Sequence, residues 1–118
     1  MAKEFTPSAS NRAAYDKMTD TPVAGVVPPQ AVELEETVLG ALMLEKDSII
    51  AVQEYITADA FYTEEHRLIY KAIESLSAEL KPIDLYTVTE RLKARKELKK
   101  VGGAAYLAQL TQKVGSAA

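Results

Sequence analysis

The 118-residue sequence predicts an all-α fold, a compact bundle of five or six short helices. Three observations carry that prediction. Apolar residues recur at helical spacing in several separate stretches. No stretch alternates apolar and polar residues over strand length with β-branched enrichment. Proline and glycine interrupt the helical stretches at short intervals. Hydrophobic residues make up 47% of the chain, enough for a real core in one domain. A domain of this size nevertheless hides only about 60–70% of its unfolded surface.

Residues 1–27 hold clusters of small or polar residues and little helical periodicity, the composition of a disordered N-terminal arm. The helical domain is expected over 28–118. Leu34, Val38 and Leu42 recur every four residues with Leu39 and Met43 beside them, which predicts a first helix over about 31–44. Glu33, Glu35 and Glu36 would then sit in its first turn, at the positive end of the helix dipole. Gly40 leaves room for a close neighbour. Asp47 is placed to cap a second helix across Ile49, Ile50, Val52 and Tyr55, and Thr57 to begin a turn carrying Phe61 and Tyr62 inward. Thr63 caps a longer helix with Glu64 and Glu65 in its first turn and Leu68, Ile69, Ala72, Ile73 and Leu76 on its apolar face.

Pro82 ends that helix, because it lacks an amide proton and biases Lys81 away from helical dihedrals. Asp84 caps the next, with Leu85, Val88 and Leu92 on one face. Gly102-Gly103 closes it and opens a last helix over about 103–114, carrying Leu107, Leu110 and Val114. The predicted core is Leu34, Val38, Leu42, Ile50, Phe61, Leu68, Ile69, Ile73, Leu76, Leu85, Val88, Leu92, Leu107 and Leu110.

The formal charge of −3 argues against a dedicated nucleic-acid-binding module, which needs a net supply of Lys and Arg. With no cysteine, disulfides and thiolate zinc sites are excluded, which suits a reducing cytosol. The apolar run Val23–Val27 is too short for a secretory core or a membrane span, so the chain reads as soluble, untargeted and cytoplasmic. Charge is segregated: residues 33–79 hold eleven acids against three bases, while 91–100 hold six bases opposed only by Glu97. The basic run reads either as a helix end and loop that complement the dipole, or as a docking patch for an acidic partner or a passing nucleic-acid strand. No aromatic interrupts it, which argues against base stacking.

Candidate chemistry is sparse. His66, the only histidine, follows Glu64-Glu65. A metal site needs at least three ligands and acid–base catalysis a second positioned group, so a structural histidine is the simpler reading. Residues 40–46 fail as a phosphate loop, since Glu45 replaces the second glycine within a periodic helix. No serine sits in a nucleophile elbow. No catalytic, cofactor or metal site is therefore expected. Tyr106 lies at the edge of the last helix's apolar stripe, about 100° from Leu107. It reads either as a packing residue with its hydroxyl at the rim or as an anchor in a protein interface. Gln109 and Lys113 share its flank at spacings of three and four, so Tyr106, Gln109 and Lys113 form the candidate interface.

Together these motifs resemble a known family. Pro28-Pro29-Gln30, Glu33-Leu34-Glu35 and Val38-Leu39-Gly40-Ala41-Leu42-Met43-Leu44 are similar to the opening of the DnaB-type bacterial replicative DNA helicase. Phe61-Tyr62 with His66-Arg67 and Ile69-Tyr70, then Pro82-Ile83-Asp84-Leu85 and Gly102-Gly103-Ala104-Ala105-Tyr106-Leu107, follow in the family's order and spacing. Each motif alone is weak; five in register over 28–118 are highly specific. Two features depart from the pattern: Ala31 stands where a polar N-cap is common, and the arm is longer than in many relatives.

The resemblance implies a DnaB N-terminal-domain fold and a non-catalytic part of a hexameric, ATP-dependent helicase. It implies self-association, as a dimer or within a hexameric collar, and docking of primase, with a helicase loader as a further partner. ATP and Mg would belong to a motor domain that the chain does not contain, and a helical hairpin and linker would follow in the family. Two other functions stand beside this one: a helical nucleic-acid-binding module using 91–100, and a small enzyme centred on His66.

Overall fold

The computed structural model describes residues 29–117. It is all-α: α1 (Pro29–Leu44), α2 (Ser48–Val52), a 3-10 turn (Ala58–Ala60), α3 (Glu64–Ala78), α4 (Leu85–Ala94) and α5 (Gly103–Ala117). Among the described residues there is no strand. The expected arm at 1–27 lies outside them.

The first helix begins at Pro29, two residues earlier than expected. Proline suits a first helical position, where its missing amide proton costs nothing. Ala31 is therefore inside the helix and buried, not at its cap. Glu33, Glu35 and Glu36 fall beyond the first turn, which holds no acid. The buried face of α1 is Leu39, Leu42 and Met43. Leu34 was expected in the core but is 65% exposed. At 100° per residue it stands about 130° around from the centre of that face.

Asp47 does not cap α2 with its side chain. It adopts a left-handed conformation (φ 63°), tolerated better by Asp than by most residues. Ile49 is buried and Ile50 is 54% exposed, because a five-residue helix has only one side against the core. Tyr55 lies beyond the end of α2 and is exposed. The 3-10 turn buries Ala58 and delivers Phe61 to the core, but Tyr62, expected inward with it, stays at the surface.

The central helix is α3, packed against α1, α2, α4 and the 3-10 turn. Thr63 caps it as expected, accepting from the His66 amide at 3.1 Å. His66, Ile69, Tyr70, Ala72, Ile73 and Leu76 form its buried face, and Leu68 is partly buried. The Tyr70 hydroxyl donates to the Ile56 carbonyl at 2.7 Å. Burial and then the Glu74 charge push its pKa up to about 12.

The end of α3 is a Schellman turn: Lys81 N donates to Leu76 O and Leu80 N to Ser77 O, with Leu80 at φ 60°. Asp84 and Thr87 form a reciprocal capping box at the start of α4. Val88 and Leu92 face the core and Leu85 is partly buried. A second Schellman turn with Lys96 at φ 61° closes α4. Val101 then plugs the core, and Gly102 (φ 108°) and Gly103 (φ 79°) turn the chain into α5. Leu107 and Leu110 are fully buried where α5 packs on α1.

Candidate functional site

The polar groups that matter converge where α1, α3 and α5 meet. Glu35 and Glu36 come from the second turn of α1, His66 from the first turn of α3, and Tyr106 and Lys113 from α5. A Cβ at Gly102 would sit 2.9 Å from Cβ of Tyr106, so the glycine permits the sharp entry that brings Tyr106 close to the turn. Tyr106 is partly buried and its ring lies nearly parallel to His66 (8°) at 6.1 Å.

A chain of short hydrogen bonds links these residues. Glu35 Oε1 lies 2.7 Å from His66 Nδ1, and Glu35 Oε2 accepts from the Tyr62 amide at 2.7 Å. His66 Nε2 lies 2.7 Å from the Tyr106 hydroxyl, which is 2.9 Å from Glu36 Oε2. Lys113 Nζ donates to Glu36 Oε1 at 2.8 Å. His66 is 1% exposed and Phe61 meets it edge-on.

The electrostatics follow from this arrangement. Burial would raise Glu36, but hydrogen bonds from Lys113 and Tyr106, with the charges of Lys113 and His66, hold its carboxyl below the usual range. Burial, then the hydrogen bond to Glu36 and the surrounding carboxylates, push the Tyr106 hydroxyl well above its ordinary value. Lys113 is raised by its bond to Glu36. Among the described residues no group of three or more His, Cys, Asp and Glu could hold a metal ion.

The three residues singled out on α5 are not equivalent. The Tyr106 hydroxyl points inward to His66 and Glu36, not to a solvent rim, while part of the side chain stays accessible. Gln109 is exposed and borders an open cleft of about 510 Å³ that Tyr106, His66, Glu65, Lys99 and Lys100 also line. Lys113 is exposed and tied to Glu36. The sequence reading missed the partnership of Glu35, Glu36 and His66 with Tyr106. Its only trace was a lone histidine on the apolar side of α3 and two adjacent acids in α1.

The basic run divides. Arg91 is held by Glu79 through paired bonds of 3.0 and 2.7 Å and by Ser75, whereas Lys93, Arg95, Lys96, Lys99 and Lys100 are exposed. Residues 40–44 do not form a phosphate-binding loop. Gly40 to Leu44 are helix, and Gly40 is pressed against α5, so no loop of free amides cradles a phosphate there.

The sequence and the overall fold are similar to those of known proteins. The DnaB-like helicase N terminal domain family matches residues 27–118. The chain is 47% identical over 95 residues to the replicative DNA helicase DnaB of Rhodothermus marinus, covering 80% of this chain and 10% of that protein. It is 40% identical over 102 residues to the replicative DNA helicase DnaB of Haemophilus influenzae, covering 86% and 22%. The crystal structure of the N-terminal domain of DnaB helicase from Mycobacterium tuberculosis superposes with a TM-score of 0.70 at 39% identity, over 75% of this chain and 64% of that one. An all-helical domain with this order of elements and this sequence similarity defines the class. The chain belongs to the DnaB-like helicase N-terminal domain family. It spans about a tenth to a fifth of the length of these two full-length relatives. No helix among the described residues is long and apolar enough to cross a membrane.

Proposed function

We propose that this chain is the non-catalytic collar domain of a hexameric, ATP-dependent replicative DNA helicase, supporting ring assembly and docking primase at the replication fork. The observation that carries this reading is the match of residues 27–118 to the N-terminal domain of replicative helicases. The absence of a nucleotide cradle from 40–46 is consistent with it, and the motor that binds ATP and magnesium is a separate domain. The exposed flank of α5, with Gln109 and Lys113 beside Tyr106, is the docking surface. The domain works in the cytoplasm, where primase and a helicase loader are its partners besides its own copies.

The test compares the full helicase with a version lacking residues 1–118. Loss of primase binding and weakened ring assembly, with ATP hydrolysis retained, are expected. Unchanged primase affinity in the shortened protein would contradict the reading. A second reading, direct nucleic-acid binding, rests on the five exposed cations between Lys93 and Lys100. It predicts binding that weakens steeply with salt, as phosphate contacts do.

A further inference from the structure

The cleft beside Tyr106 is lined by charges of both signs from different elements. Lys99 and Lys100 come from the loop between α4 and α5, Glu65 from the first turn of α3, and Gln109 from α5. Lys81, Arg91 and Lys113 are each held by a glutamate of this domain. Lys99 and Lys100 are exposed and pair with no described carboxylate. The Gln109 side-chain amide is likewise unbonded among the described residues. Val32 of α1 and Ala105 of α5 add apolar lining. The main-chain amides beside the lysines are already used: Val101, Gly102 and Gly103 donate to the carbonyls of Glu97, Lys99 and Leu98. Recognition of an anion here therefore falls to the two ammonium groups and the Gln109 amide.

We propose that this cleft receives a short acidic peptide segment of a protein partner, whose carboxylates pair with Lys99 and Lys100 and whose main chain meets Gln109. The inference rests on the reading of the α5 flank as the docking surface, and adds the chemistry of what the partner presents there. The volume of about 510 Å³ lies within the usual range of ligand sites, and the cleft is open, so a segment of chain can lie along it. Charge decides between a peptide and a nucleic-acid strand. A strand carries a phosphate at every nucleotide and would bring like charge to Glu65, in a domain that is acidic overall. A peptide can place a carboxylate at the lysines and a neutral or basic residue at Glu65, with its aliphatic parts against Val32 and Ala105. Docking also removes water from the ammonium groups, which strengthens charge-assisted hydrogen bonds to a carboxylate.

The test titrates purified primase into the full helicase carrying Lys99→Glu with Lys100→Glu, at low and at physiological salt. Both positions are exposed, so the fold is expected to persist. Like charge facing the segment should raise Kd by about ten-fold or more at low salt. The difference from the unaltered protein should shrink as salt screens it. Lys99→Arg with Lys100→Arg keeps the charge and should bind as the unaltered protein does. Lys46→Glu with Lys71→Glu makes the same change in net charge at exposed positions outside the cleft, and should also leave Kd unchanged. Equal weakening by that pair would overturn the proposal, because the effect would then belong to the overall field of the protein. Unchanged affinity in the cleft pair, with weakening by Gln109→Ala, would overturn the acidic segment and leave the docking surface standing. Unchanged affinity in both would overturn the two together. A thymidine oligonucleotide is the second titrant. If the cleft pair loses oligonucleotide binding and keeps primase binding, the lysines serve nucleic acid and the proposal fails.

Discussion

Gly40 of α1 lies directly against the main-chain carbonyl of Leu110 in α5, with a Val114 methyl closing the remaining space. A side chain there would overlap the Leu110 oxygen, so the missing Cβ sets how closely the two helices approach. Gly40→Ala would gain about 1 kcal/mol of helix propensity. It would lose more by forcing apart two backbones that cannot yield as a flexible side chain does, at a typical overpacking cost of about 1–3 kcal/mol. Thermal melting should show net destabilisation. A rise in Tm would mean that α1 and α5 are not packed as described.

Leu80 gives the opposite expectation. It occupies the left-handed position of the Schellman turn after α3 and is 93% exposed, so it bears the strain of that conformation and buries nothing. The left-handed conformation costs a non-glycine residue about 1–2 kcal/mol, partly offset by the extra chain entropy that glycine loses on folding. Leu80→Gly should stabilise the domain by about 0.5–1 kcal/mol in denaturant unfolding. A loss of stability would show that the leucine makes contacts in solution.

The pair Glu79–Arg91 makes acid unfolding informative. Hydrogen bonds from Arg91 and then Lys81 lower the Glu79 carboxyl to about 2. Its folded value is depressed, so the stability it contributes is present above the unfolded carboxylate range and is lost as pH falls toward about 2. Glu79→Gln removes the titrating group but keeps a side-chain oxygen within reach of Arg91. It should therefore flatten the loss of stability between the ordinary carboxylate range and a pH of about 2. An acid-unfolding curve identical in slope to that of the unaltered chain would contradict this.

Much of the fold was legible because its signals are local. Thr63 and Asp84 bond to amides three residues on, and Pro82 and Gly102 act on their own neighbours, so each can be read without knowing the tertiary arrangement. Leu34 and Ile50 were misplaced because a repeat of apolar residues does not say which side of a helix meets the core. Glu36 was misread as a dipole partner for a reason of range. It lies 70 residues from Tyr106 and 77 from Lys113, and only packing of α1 on α5 brings them together. Tyr106 itself was recognised as an edge residue, but where its hydroxyl points depends on His66, 40 residues earlier.

The docking role proposed for α5 is tested most directly by titrating primase into the full helicase carrying Gln109→Ala. Gln109 is exposed and takes no part in the hydrogen bonds of Tyr106 and Lys113 with Glu36, so stability should stay close to that of the unaltered protein. The account predicts primase affinity weakened by about 1–3 kcal/mol, roughly five-fold to more than a hundred-fold in Kd. Lys113→Ala should weaken it as well, with some loss of stability because Glu36 loses one of its two partners. Unchanged affinity in both folded variants would contradict the assignment of this flank as the primase surface.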